Sequence, residues 1–195
     1  AALIALGRLG EAEALLDRVI ALDPQDADAW QNRSTLRRQT PETNHVADLF
    51  KAVDAPCIVY GEVGRSIQGD RSKPLSTKPK LSGDEMQAYA RKVTAFGEWC
   101  ADQGMPLSYH HHMAAVVETE PELDAFMAAS GPGIPLLLDA GHLAFAGGDV
   151  LRAIDRHHAR INHVHVKDIR RPVVDGLDSS RQSFLDAVAL GAFTV

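Results

Sequence analysis

Asp139 and His142 stand in the string LLLDAGH, and His163 and His165 in HVHVKD; each string follows an apolar run and ends in groups that bind cations or move protons. Successive strand residues face opposite ways, so H-x-H puts both histidines on one side. A parallel sheet delivers the polar ends of its strands to a common edge. A carboxylate oxygen beside imidazole nitrogens is the donor mixture that suits Mn²⁺, Co²⁺ or Zn²⁺, and an open coordination position makes such a centre catalytic. Asp139 and His165 are therefore expected to converge, whereas His163 alone reads more readily as a hydrogen-bonded core histidine.

The run His110-His111-His112 follows a third apolar stretch, with His110 and His112 facing one way and His111 the other. At a strand end beside the other polar ends the run lines a pocket; on an open surface it would carry little meaning. Glu118, in VVETE, has two readings. It can supply a further carboxylate ligand, or be an ordinary acid in the first turn of a helix, favoured by the helix dipole.

The elements that must position these groups alternate strand with helix. Continuous apolar runs at Cys57 to Tyr60, Leu107 to Tyr109, Ile134 to Leu138 and Ile161 to Val166 read as parallel strands covered on both faces, with a fifth at Ala192 to Val195. Ser82-x-x-Glu85 is a capping box opening a helix with Met86, Tyr89, Val93, Phe96 and Cys100 on one face and a stop at Gly104. Thr119-x-x-Glu122 opens a second helix, with Leu123, Phe126 and Met127 inward, that stops at Gly131. Two more are expected from about Asp149 to His157 and from about Ser183 to Leu190, and a short amphipathic one from Asn44 to Ala55. This alternation predicts an α/β fold, and polar groups at strand C-termini favour its barrel form. A full barrel needs eight strands and roughly 250 residues. The expectation is a partial (β/α)8 TIM barrel over residues 44–195, truncated at both ends.

Residues 1–43 have a different, all-helical texture. Gly7, Ala12, Leu16, Pro24 and Trp30 follow the spacing of a tetratricopeptide repeat, in which small and apolar residues four apart pack one helix on another. About one repeat is present. It reads as an amphipathic hairpin that packs on something else, or as a functional repeat module.

The chain has 195 residues, 45% hydrophobic, with a net charge of −6. An acidic balance without clustered Lys or Arg argues against nucleic acid as partner. No apolar stretch is long enough to span a membrane, and Arg8 and Glu11 interrupt the apolar opening before signal-peptide length. Two cysteines in apolar settings, Cys57 and Cys100, fit reduced thiols and a cytoplasmic location. The first residue is not Met and the last lie in an apolar run, so a fragment of a longer reading frame is expected.

The strings VYGEV at Val59, SIQGDR at Ser66, PLS at Pro74, YHHHM at Tyr109, VVETE at Val116, LLLDAGHLAFAGGD at Leu136, HVHVKDIR at His163 and SFLDAVALGAFTV at Ser183 together resemble the inosose dehydratases. These 2-keto-myo-inositol dehydratases of inositol catabolism lie within the xylose-isomerase-like barrel superfamily. The resemblance is dense from about Cys57 to Val195. It implies a divalent metal, Mn²⁺ or Co²⁺, held by Glu118, Asp139 and His165, with a fourth ligand on a strand beyond Val195; His110 or His112 can stand in for Glu118.

It also implies removal of water from a keto-cyclitol or related sugar. A metal on the ketone oxygen acidifies the adjacent C–H, a base takes the proton and an acid protonates the departing hydroxyl. His142, Lys167 and His112 are the candidates for proton handling. Glu62, Gln68, Asp70, His110, Arg170 and Arg171 are candidates for holding substrate hydroxyls. Lys167 and Asp168 read alternatively as a salt bridge at the barrel rim. A sugar isomerase or epimerase on the same barrel is the nearest enzymatic rival, and a helical-repeat interaction protein with a remnant barrel the rival from another class. A homo-oligomer is a further expectation.

Overall fold

The computed structural model describes residues 14–18 and 50–194. The chain divides into two compact units, Ala1–Ala55 and Pro56–Val195. In the first, residues 14–18 and 50–52 are helical, and the chain at Phe50 closes a turn in which Ala55 N–H donates to the Phe50 carbonyl at 2.9 Å. The remainder of the tetratricopeptide-like stretch and of the 44–55 helix lies outside the described residues.

The second unit is built on β1 (Ile58–Gly61), β2 (Leu107–His110), β3 (Leu136–Asp139) and β4 (Ile161–His165), all parallel and in that spatial order. Helix α1 (Gly83–Asp102) joins β1 to β2, and α2 (Glu120–Ala129) joins β2 to β3. Between β3 and β4 come α3 (Ala140–Phe145) and α4 (Val150–His157). The first four expected strands are present, each with bounds within two residues of those expected. The barrel is partial: β1 and β4 are the edges of this sheet among the described residues.

Alternation sorts the strand side chains. Ile58, Tyr60, Leu107, Tyr109, Leu136, Leu138 and Ile161 pack with Tyr89, Val93, Leu123 and Phe126 of the covering helices into one apolar core. The ring of Tyr109 stacks on Phe126 at 3.9 Å between centroids, and the hydroxyls of Tyr89 and Tyr109 bond at 3.1 Å. The other face of β2 and β3 carries Ser108, His110, Leu137 and Asp139, turned to the barrel interior. A bulge between Leu136 and Leu137 keeps His163 opposite Leu137 and His165 opposite Asp139. Without that extra residue both histidines would turn to the outer face.

The helix signals hold. Ser82 accepts the Glu85 N–H and its own N–H donates to the Glu85 carboxylate, closing the expected capping box. Gly104, at φ 72°, takes the left-handed conformation that ends α1. Thr119 N–H donates to Glu122 Oε2 at 2.9 Å at the start of α2. Glu120 on α2 is clamped by Arg152 of α4, whose Nη2 reaches Oε2 at 2.7 Å, tying the two helices together.

One strand expectation needs correcting. Phe193–Thr194, β6, does form, but it pairs antiparallel with β5 (Asp168–Ile169) and not as a fifth member of the parallel sheet. The chain doubles back through α5 (Arg171–Asp175) and α6 (Phe184–Ala189), and the Arg170 guanidinium fixes the return by donating to the carbonyls of Gly191 at 2.7 Å and Phe193 at 3.0 Å. Among the described residues no helix is long and apolar enough to cross a membrane.

Candidate functional site

Asp139 is the last residue of β3 and the N-cap of α3, where its Oδ1 accepts the His142 N–H at 2.9 Å. That bond fixes the carboxylate at the strand end and leaves Oδ2 pointing at the groups from neighbouring strands. His110 Nε2, from the end of β2, lies 3.2 Å from Oδ2. His165 Nδ1, from the end of β4, lies 3.4 Å away, and His142 Nε2, one turn into α3, 3.6 Å away. The Lys167 ammonium, two residues past β4, donates to the same oxygen. Asp139 is 0% exposed.

Burial alone would raise the Asp139 carboxyl. The His110 and Lys167 hydrogen bonds and the backbone N–H of His142 outweigh it and hold the group far below the usual carboxylate range. Burial disfavours charge on the imidazoles in the opposite sense, bringing His142 down to about 2 and His112 to about 4. At pH 7 the site therefore pairs an ionised Asp139 with neutral His142 and His112 rings, the protonation states in which carboxylate and imidazole are metal donors. His110, Asp139 and His142 each offer a ligand atom within 4.8 Å of the others. His142 Nδ1 is buried without a partner. The donor set fits a divalent first-row metal.

His112 packs against His142 with ring centroids 3.8 Å apart. Its Nδ1 donates to the Met113 carbonyl at 2.7 Å, and since a carbonyl only accepts, the hydrogen is on Nδ1 and the Nε2 lone pair is free. Three phenyl rings close this side. Phe184 lies 5.3 Å from His112 and Phe193 5.5 Å from His142 between centroids, and Phe145 stacks on Phe193. The sequence reading did not single these out, because isolated Phe residues on short helices look like ordinary core. Gly141 is the other unforeseen position: a Cβ there would stand 2.1 Å from Lys167 Cγ, so only glycine lets the lysine stem cross the start of α3 to Asp139.

Glu118 is placed apart from this group. Its Oε2 accepts the Ala114 N–H at 2.6 Å, pinning a turn in which Ala114 has φ 61°. Burial raises the Glu118 carboxyl. Three of the expected substrate groups, Glu62, Asp70 and Arg170, are occupied locally. Glu62 accepts the Arg65 N–H at 3.0 Å, Asp70 accepts the N–H and hydroxyl of Ser72, and Arg170 holds β6 as described. Gln68 Oε1 is buried without a partner, and Arg171 is exposed at the start of α5.

A parallel sheet that gathers carboxylate and imidazole at the C-terminal ends of its strands is the architecture of a barrel with its polar site at that edge. A family model described as xylose isomerase-like TIM barrel matches residues 28–187, and the chain belongs to that family. A tetratricopeptide repeat model matches residues 1–36. Among curated relatives, the rhizopine catabolism protein MocC of Rhizobium meliloti is 41% identical over 147 residues, which are 75% of this chain and 45% of the relative. An inosose dehydratase of Geobacillus thermodenitrificans is 37% identical over 178 residues, 87% of this chain and 59% of the relative. One from Clostridium tetani is 36% identical over 188 residues, 93% of this chain and 63% of the relative. The chain thus spans 45% to 63% of the length of these relatives. The fold is shared with two solved structures, each at a TM-score of 0.54. The probable 3-DHS dehydratase AsbF of Bacillus anthracis is 20% identical, with 72% of this chain and 47% of that one covered. The IOLI protein with a bound zinc atom is 16% identical, with 85% and 58% covered.

Proposed function

We propose that this chain carries the metal-binding part of a hydro-lyase that dehydrates 2-keto-myo-inositol in inositol catabolism. The observation that carries the reading is the convergence of His110, His142, His165 and Lys167 on one oxygen of Asp139. The identity to inosose dehydratases supports the substrate, and the zinc of the IOLI structure supports a divalent cation. Mn²⁺ or Co²⁺ is the proposed metal. Asp139 and His165 are its proposed ligands together with His110 and His142; Glu118 joins them only on giving up the Ala114 turn.

When bound, the cation would polarise the substrate ketone and so acidify the neighbouring C–H. The chain's own residues supply the proton traffic. His112, with a free Nε2 lone pair, takes the C–H proton. Lys167 protonates the departing hydroxyl, which leaves as water, and His142 holds the pair in register. The phenyl wall of Phe145, Phe184 and Phe193 keeps bulk water off both imidazoles. Gln68, whose side-chain oxygen has no protein partner, and Arg171 are proposed to hold substrate hydroxyls, with Glu62, Asp70 and Arg170 shaping the surrounding loops.

The proposed organisation is a tetratricopeptide-like segment over 1–43 and a barrel segment over 44–195. Two buried free thiols, Cys57 and Cys100, support a reducing, cytoplasmic setting. Among the described residues β4 is an edge of the sheet, and the exposure of Val164 on it (49%) and of Val166 just past it (89%) supports a homo-oligomer. The test is incubation of 2-keto-myo-inositol with the protein and Mn²⁺ or Co²⁺, followed by mass spectrometry. Loss of one water supports the lyase. An isomeric product of equal mass points to an isomerase or epimerase, and unchanged substrate together with undetectable metal binding points to a remnant barrel.

A further inference from the structure

His111 is 0% exposed and faces away from His110 and His112, yet its ring is not idle: Nε2 accepts the backbone N–H of Asp139 at 3.1 Å. The strand pairing shows what this bond replaces. Tyr109 N–H donates to the Pro135 carbonyl at 3.0 Å, and β2 pairs with β3 through Tyr109 opposite Leu136 and His110 opposite Leu137. Bonds in a parallel ladder recur at every second residue. Two residues further on, the Asp139 N–H would take the His111 carbonyl. The backbone of β2 has left the sheet by then, turning through His112, whose N–H donates to the Val117 carbonyl at 3.1 Å. A buried amide without an acceptor is costly.

We infer that His111 is a positioning residue for Asp139, its imidazole standing in for the missing rung of the β2–β3 ladder and holding the carboxylate in place beneath His110, His142 and His165. The role demands one tautomer. An N–H cannot donate to a nitrogen that carries its own hydrogen, so Nε2 is bare and the hydrogen lies on Nδ1, which is buried without a partner. Burial favours this neutral ring. The arrangement also explains how three adjacent histidines are used: the outer two face the site, and the middle one supports it from behind.

The consequence for metal binding rests on the proposed function; the tautomer and the amide bond do not. The experiment compares the whole chain with His111→Leu and His111→Gln. Gln keeps an acceptor oxygen within reach, and Leu keeps the bulk without one. In the unsubstituted protein, ¹⁵N NMR should show His111 protonated on Nδ1 and the Asp139 amide protected from exchange. Co²⁺ titration should find the Leu variant weakened by about 10–100-fold, the usual cost of removing support behind a metal ligand, with much of the loss restored in the Gln variant. A ring protonated on Nε2, or a fast-exchanging Asp139 amide, overturns the assignment even if the variants do not fold. Equal Co²⁺ affinity in the Leu variant, or no gain from Gln over Leu, also overturns it. An unsubstituted protein that binds no Co²⁺ removes the metal reading alone, and the NMR result still decides His111.

Discussion

Lys167 Nζ and Asp139 Oδ2, 28 residues apart in sequence, are in direct contact at the C-terminal edge of the sheet, with Gly141 leaving the space through which the lysine arrives. An ammonium on this oxygen competes with any divalent cation for it. Lys167→Met removes the competing charge and keeps the stem. Co²⁺ affinity should rise by about tenfold, roughly 1.4 kcal/mol, while dehydration is lost. Calorimetric titration and a turnover assay read the two arms. A variant that binds Co²⁺ more weakly would place Lys167 among the supports of the site and not its competitors.

Asp139→Asn keeps the shape of the side chain and removes its charge. Metal binding should fall below detection, and the protein should lose stability as well, because Lys167 is left without its carboxylate partner. The expected cost in chemical denaturation with chelator present is about 3 kcal/mol. Turnover that survives both this substitution and a strong chelator would leave the family relation as one of fold alone.

Glu118 separates two roles. If its task is the turn, Glu118→Ala strands the Ala114 N–H and releases a residue held at φ 61°, costing about 1–3 kcal/mol while Co²⁺ affinity stays near that of the parent. If it is a ligand, affinity collapses and stability changes less. Paired denaturation and titration curves distinguish these outcomes.

Acid should destabilise the metal-free protein through its buried histidines as pH falls below about 6.5. His111, His112 and His142 are lowered from 6.5 to about 3, 4 and 2, in each case mainly by burial. Between those values and 6.5 the unfolded chain binds protons that the folded chain refuses. Stability is therefore full above pH 6.5 and falls as pH drops toward about 4, by at most about 1.4 kcal/mol per pH unit for each histidine. Denaturation midpoints measured in chelator at about pH 7.5, 6 and 5 test this. Midpoints that do not fall would mean that the imidazoles are solvated.

The strands and helices that carry the candidate site were legible in the sequence because strand periodicity and helix capping are local. Apolar runs ended the strands at Tyr109, Leu138 and Val166, each within one residue of the ends found at His110, Asp139 and His165, and the S-x-x-E and T-x-x-E pairs placed α1 and α2. The xylose isomerase-like family was legible through its strings. What periodicity could not supply was distance between elements. Glu118 matched a ligand pattern in sequence, but the tertiary turn at Ala114 claims its carboxylate. His111 faced the wrong way by alternation, yet the departure of β2 from the sheet gives its ring the Asp139 amide. Phe193–Thr194 had the texture of a fifth barrel strand, and the Arg170 contacts turned it antiparallel to Asp168–Ile169. Residue types and spacing are read along one chain, whereas a hydrogen bond goes to whichever partner lies nearest in space, and only the packing of β2, β3 and β4 against one another decided that.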